Sequence, residues 1–135
     1  WYRPALPCSM SVSNPATPMS APPYSTYVGT SEARTKTTRK LFWLVGKKEY
    51  VAVARLESTG GVDQSEADIP EEEIAAAHQR YKALRDSLLP PQHTGPAPSG
   101  GVAGTRRGVK CLHAHYAWFL AGGDDPVGRW VKEHL

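Results

Sequence analysis

The segment Asp68–Leu89 constrains the fold most, because it has the pattern of one long amphipathic helix. Pro70 suits the first helical position, and Pro90 and Pro91 stop the helix. His78 lies beside the apolar face, and we expect it at the boundary of the core. The apolar residues at helical spacing are Ile74, Ala77, Tyr81, Leu84 and Leu88. Such a face needs a partner, so other segments must pack on this helix.

The other large apolar residues are unevenly spread, which limits how much of the chain can pack. Residues 1–40 and 90–105 are rich in Pro, Ser, Thr and Gly and poor in large aliphatic residues. We expect an irregular Pro-rich arm over residues 1–25 and a single domain over residues 26–135, with a flexible loop at 90–104. A length of 135 residues also favours one domain.

Two β-prone runs lie before the long helix, Tyr24–Val28 and Arg39–Val45. The connector between them is polar and contains Gly29, so the pair is predicted to form an antiparallel hairpin. The second run is almost continuously apolar, and we expect it to lie between other elements.

The segment Lys47–Glu57 fits both a strand and a helix. Strict alternation of its apolar residues would suit a strand, whereas helical spacing groups Tyr50 with Glu57 on one face. We favour the helix, because Gly60 follows it as a suitable cap. The next stretch, Ser58–Ser65, is then predicted to be a loop.

The last third of the chain is predicted to hold two helices. The first runs from about Val109 to Ala121 and carries a broad apolar, aromatic face. Asp125 and Pro126 open a final short helix as its N-cap and first residue. Trp130 and Leu135 are expected to fold back onto the aromatic helix. The predicted fold class is therefore α+β, with a small β-hairpin packed against three to four helices.

Charge is weakly positive overall, with a formal net charge of +3 and a strong local bias. Residues 1–40 hold five basic residues and one acidic residue, and residues 61–90 hold three basic and seven acidic residues. This balance permits an anionic ligand, a nucleic acid or a protein partner, and it equally suits two solvated faces of opposite sign.

No run approaches the ~18 apolar residues of a membrane span. A secretory signal pattern is also missing, so we expect a cytoplasmic protein. The chain begins with Trp1 instead of Met, which leaves room for a removed targeting segment. Two cysteines, Cys8 and Cys111, are too few for a disulfide scaffold.

The candidate chemistry is concentrated between Gly104 and Gly128, where Cys111, His113 and His115 lie close in sequence. Cys111 near a positive helix N-terminus, with either histidine as base, would suit a thiol-dependent enzyme. The structural alternative is a small buried thiol with packed or capping histidines.

A Gly-flanked basic loop leads into the same helix and carries Arg106, Arg107 and Lys110. Backbone N–H groups and the helix dipole favour a phosphate there, and Trp43 or Tyr50 offers a surface for base stacking. The alternative is a loop that its charges merely keep soluble. A non-enzymatic binding or assembly module with an anion-binding basic loop is the function that we favour from the sequence.

Six stretches of the chain carry a family resemblance: Gly108–Ala114, Leu120–Gly128, Leu41–Leu44, Val53–Glu57, His78–Tyr81 and the dipeptide Pro7–Cys8. Together they resemble the DUF501 family, a group of small proteins without an assigned function that is best represented in actinobacteria. The resemblance spans most of residues 39–135 and is looser over residues 1–38.

The resemblance implies an α+β domain in which three cysteines and a histidine converge as a tetrahedral zinc set. Gly46 stands where the family has one of these cysteines, so only Cys8, Cys111 and His113 carry over. His115 is the local candidate for the fourth ligand. Zinc is thus the one cofactor that the sequence suggests, as the stabiliser of the domain.

Helix geometry leaves two arrangements of these ligands open. On a regular helix Cys111 and His115 share a face, and His113 points away from it. Either Cys111 pairs with His115, or Cys111 and His113 bind together from an irregular helix start near Leu112.

Overall fold

The computed structural model describes residues 26–28, 41–89, 91–92, 94–95 and 98–135. The described residues are mostly helical, with five α-helices and one 3₁₀ turn at Val102–Gly104. None of these helices combines the length and the apolar character that a membrane span requires. The helices are α1 (Lys47–Ser58), α2 (Gly61–Asp68), α3 (Glu71–Ser87), α4 (Leu112–Leu120) and α5 (Pro126–His134).

Among the described residues, strand structure is limited to two short segments, β1 (Thr26–Val28) and β2 (Phe42–Leu44). They pair antiparallel, with Thr26 opposite Leu44 and Val28 opposite Phe42. Most of the connector between them, residues 29–40, lies outside the described residues. The hairpin, and with it the α+β class, therefore stays a prediction, as does the arm over residues 1–25.

The described part of the chain forms five helices where three or four were predicted, because α2 occupies most of the stretch that was expected to be a loop. The residues that α2 buries are Gly61 and Ser65, which give no apolar signal in the sequence. Gly61 fits closely: a Cβ atom there would lie 2.6 Å from the Leu56 carbonyl oxygen. The close approach of α1 and α2 thus depends on a missing side chain.

The long helix α3 is confirmed, and its apolar face is buried at Ile74, Ala77 and Tyr81. Two details of the prediction are wrong. Leu88 follows the end of the helix and is exposed, so it does not belong to the face. His78 is buried inside the core and not at its boundary, since the loop before α4 covers it.

The segment before α4 packs against α3. The buried guanidinium of Arg85 donates hydrogen bonds to the carbonyl groups of Pro98 and Gly100, at 3.2 and 2.7 Å. Val102 donates its N–H to Nδ1 of His78 at 3.1 Å, and Gly101 lies so close that a Cβ would clash with His78. The end of the predicted loop, from residue 98 onward, is therefore held to α3.

The aromatic helix α4 begins at Leu112, three residues later than predicted. Two carboxylates cause the delay, because Glu66 accepts the N–H of Val109 at 2.6 Å and Glu57 accepts that of Leu112 at 2.7 Å. Cys111 is left extended, at φ −151°, as the residue before the helix. The core lies where α4 packs on α5 and β2.

The final helix α5 starts as predicted, with Asp125 as its N-cap and the side chain accepting the N–H of Val127 at 3.0 Å. Trp130 is buried, as expected for a residue that packs back on α4. Leu135 is exposed instead, because it follows the last turn of α5.

Candidate functional site

Three side chains of different chemistry meet where the end of α1 faces the start of α4. Glu57 offers a carboxylate oxygen, Cys111 a sulfur and His113 a ring nitrogen, and one such atom from each lies within 4.8 Å of the others. All three residues are partly buried. We call this group the Glu57–Cys111–His113 cluster.

The late start of α4 brings this cluster together. Cys111 is extended and stands outside the helix, whereas His113 is in its first turn. The two residues therefore do not follow the helical spacing that would turn them to opposite sides. Of the two open arrangements, this one joins Cys111 with His113, through a contact between Glu57 and Leu112 that spans 55 residues of sequence.

Both ring nitrogens of His113 face oxygen acceptors. Nδ1 lies 3.2 Å from Oε1 of Glu57, and Nε2 lies 3.1 Å from the carbonyl oxygen of Tyr50. The ring also packs on that of Tyr50, with 4.4 Å between the centroids. A neutral imidazole carries only one N–H, so one of the two contacts needs a second proton or a metal ion in its place.

A pocket of about 220 Å³ opens beside the cluster. Its wall combines two residues of the cluster with aromatic and aliphatic side chains from β2, α1 and α4. The lining residues are Phe42, Trp43, Leu44, Tyr50, Cys111, His113 and Ala114. We call it the aromatic pocket.

His115 is placed apart from the cluster. Its Nδ1–H donates to Oδ2 of Asp125 at 2.7 Å, and both side chains are fully buried. Its Nε2 is buried without a hydrogen-bond partner among the described residues. The predicted ligands are thus divided: Cys111 and His113 meet, His115 points into the core, and Cys8 lies outside the described residues.

His78 serves the architecture around the site. Its Nδ1 accepts the N–H of Val102, so Nε2 carries the proton and donates to the carbonyl of Gly108 at 2.7 Å. Burial lowers the pKa of His78 below its ordinary value, against the opposing effect of the Gly108 hydrogen bond. The neutral ring ties α3 to the loop that enters α4.

Two donors of the basic loop are already paired with carboxylates of the same chain. Nε of Arg107 lies 2.6 Å from Oε1 of Glu71, and this hydrogen bond raises the pKa of Arg107. The N–H of Val109 already donates to Glu66. Arg106 and Lys110 are exposed. Anion binding by this loop stays a prediction, and an incoming anion would have to compete with these carboxylates.

Glu57 is the site residue that sequence reasoning missed. Two signals pointed to it: helical spacing grouped it with Tyr50, and it ends one of the stretches that resemble the family. A single glutamate near a helix end is ordinarily a solvated charge, so neither signal marked it as a ligand.

Comparison with known proteins defines the family. The family model DUF501, described as a protein of unknown function, matches residues 11–133 of the 135-residue chain. The chain therefore belongs to the DUF501 family. Neither the curated proteins nor the solved structures contain a match.

Proposed function

We propose that this domain binds a transition-metal ion through Glu57, Cys111 and His113, and that this ion is zinc. The observation that carries the proposal is the meeting of one oxygen, one sulfur and one nitrogen donor within 4.8 Å. Zinc accepts all three donor types and favours four ligands in a tetrahedron.

The spacing of the donors suits such an ion. Two ligands bound at about 2.0–2.1 Å to a tetrahedral zinc lie about 3.3–3.4 Å apart. Oε1 of Glu57 and Nδ1 of His113 lie 3.2 Å apart, close to that edge length. The sulfur of Cys111 lies within 4.8 Å of both, and a zinc–sulfur bond of about 2.3 Å requires roughly 3.6 Å, so the thiol has to approach by about 1 Å at most.

The groups around the donors also favour metal binding. A metal-ligating histidine usually donates its other N–H to a carbonyl or carboxylate, which fixes the ring. Nε2 of His113 faces the Tyr50 carbonyl in this way, leaving Nδ1 for the ion. The backbone N–H of Leu112 orients the Glu57 carboxylate.

A thiol-dependent enzyme, the alternative from the sequence, is less well supported by this geometry. A nucleophilic triad needs one histidine nitrogen on the carboxylate and the other on the nucleophile. In His113 the second nitrogen is directed to the Tyr50 carbonyl instead of the Cys111 thiol. Metal binding uses both ring contacts as they stand, and for that reason we favour it.

The proposed ion would join the end of α1 to the start of α4 and so stabilise the junction from which the last helix begins. This role corresponds to the zinc-stabilised domain, which the sequence gives as an alternative to a binding module with an anion-binding loop. The fourth position falls to Cys8, as the family resemblance implies, or to a water molecule.

Elemental analysis of the protein, purified without chelators, tests the proposal. We expect close to one zinc ion per chain, and cobalt(II) in its place should give the absorption of a thiolate ligand. Cys111→Ser and Glu57→Gln should lose the ion. Glu66→Gln is the matched control, because Glu66 also accepts a backbone N–H before α4 but lies outside the cluster.

Two outcomes bear directly on the ligand set. A wild-type protein that neither contains zinc nor binds added cobalt(II) contradicts the proposal. Loss of the thiolate absorption in Cys8→Ser, with Cys111→Ser unaffected, would assign the thiol ligand to Cys8 and remove Cys111 from the set.

A further inference from the structure

The exposed large apolar side chains are concentrated around the aromatic pocket. Of the six described residues of this kind, four lie between positions 43 and 51. Trp43 and Tyr50, which are 38% and 52% exposed, form two walls of the pocket. Aromatic side chains exposed beside a concavity are a common mark of a binding surface.

The size of the pocket narrows the choice of ligand. Small-molecule sites usually have volumes of roughly 300–1,000 Å³. At about 220 Å³, the aromatic pocket suits one or two inserted side chains better than a cofactor. Aromatic-lined grooves of this kind bind Pro-rich P-x-x-P segments, whose extended helix is formed in advance and loses little entropy on binding.

The chain contains two such segments of its own, Pro4-Ala-Leu-Pro7 and Pro15-Ala-Thr-Pro18. Both belong to the arm, residues 1–25. The first is the more apolar, because it includes Leu6 and follows Trp1 and Tyr2. The apolar wall of the pocket therefore favours Pro4–Pro7.

The arm joins the described domain beside the pocket. Thr26, the first residue of β1, pairs with Leu44, which lines the pocket. Pro7 precedes Thr26 by 19 residues, enough to span roughly 60 Å, so reach does not limit its return. A covalent tether of this length raises the effective concentration of the segment to the order of millimolar, so a weak contact suffices.

We propose that the aromatic pocket is the binding site of the chain's own arm, with Pro4–Pro7 packed against Trp43 and Tyr50. Cys8 follows Pro7 directly, so this contact delivers its thiol to the wall formed by Cys111 and His113. The proposal concerns the surface alone and holds whether or not a metal ion is bound.

The full-length chain with Cys111→Ser tests this contact, because Cys8 is then its one remaining thiol. A nitroxide on Cys8 should broaden the indole NMR signal of Trp43 much more than that of Trp130, a buried residue of α5 whose indole N–H donates to Asp68. Without the label, Pro4→Ala with Pro7→Ala should shift the Trp43 signal. Pro15→Ala with Pro18→Ala is the matched control and should not.

Three results would overturn the proposal. The Trp43 signal could be broadened no more than that of Trp130, or the two double-proline variants could behave alike. Broadening that appears only between labelled and unlabelled chains would assign the pocket to a second copy instead. The proposed zinc site is judged separately, since this variant lacks the Cys111 thiol.

Discussion

Two histidines of α4 each place Nδ1 on a carboxylate, yet the two pairs have opposite surroundings. His113 and Glu57 lie 3.2 Å apart, partly exposed beside the aromatic pocket. His115 and Asp125 lie 2.7 Å apart, and both are fully buried. Solvent access therefore distinguishes the two pairs. In our proposal a metal ion replaces the proton of the open pair, His113 and Glu57, whereas the sealed pair, His115 and Asp125, is a hydrogen bond of the core.

The largest expected effect comes from breaking the sealed pair with Asp125→Ala. The change removes the partner of His115 and the cap on the Val127 N–H, and leaves a buried donor unpaired. We expect the free energy of unfolding to fall by about 3–5 kcal/mol, measured by urea titration. Glu57→Ala in metal-free protein should cost only about 1 kcal/mol. Equal losses would show that burial does not distinguish the pairs.

Metal removal should act on the open pair alone. If free zinc stands at about 100 times its dissociation constant, a chelator should lower the free energy of unfolding by about 2.7 kcal/mol. The same chelator should leave Cys111→Ser unchanged, because that variant lacks a ligand. Thermal unfolding with and without chelator measures the difference, and equal shifts in both proteins would contradict it.

A third histidine, His78, extends the comparison to pH. Burial lowers its pKa below the ordinary value of 6.5, so the unfolded chain binds a proton more readily than the folded one. Its contribution to stability is complete above about pH 6.5 and is lost as the pH falls.

The corresponding slope is at most about 1.4 kcal/mol per pH unit, the value for one proton. His78→Gln keeps a donor and an acceptor without titrating and should flatten the slope. Urea titrations between pH 5 and 8 measure it, with His134→Gln as the control, because His134 lies outside the cluster. An unchanged slope in His78→Gln would assign the pH dependence to another group.

The smallest effect is expected at the basic loop. Arg106→Ala with Arg107→Ala should leave stability unchanged, because the contact of Arg107 with Glu71 is exposed. Any binding of nucleic acid should weaken in this variant and depend less on salt. Filter binding at two salt concentrations measures it, and binding that survives unchanged would contradict the predicted anion binding by this loop.

The elements that the sequence predicts well are those with local signals. Pro70 marks the start of α3, and Asp125 with Pro126 marks the start of α5. By contrast, α2 was missed because Gly61 and Ser65, the residues it buries, carry no apolar pattern. Its position depends on tertiary packing that no short window of sequence contains.

The candidate site was predicted in part. The region around Cys111 and His113 was identified from residue type, but the choice between His113 and His115 depended on where α4 begins. That start is set by Glu57 and Glu66, which contact the segment before α4 from distant positions in the sequence. Long-range hydrogen bonds of this kind leave no periodic trace in the sequence, so the proposed ligand Glu57 was missed as well.

The hydrogen bonds of Arg85 and His78 to residues 98–102 affect what happens when the backbone is cleaved in the preceding loop. The carboxyl-terminal third is bound to α3 by its own hydrogen bonds and buried contacts, and not merely by the covalent link through Gln92. A protease that cut the backbone once between Leu89 and Pro98 would therefore leave two fragments that stay associated as one particle. A denaturing gel would separate the two fragments, whereas a native gel would show a single band.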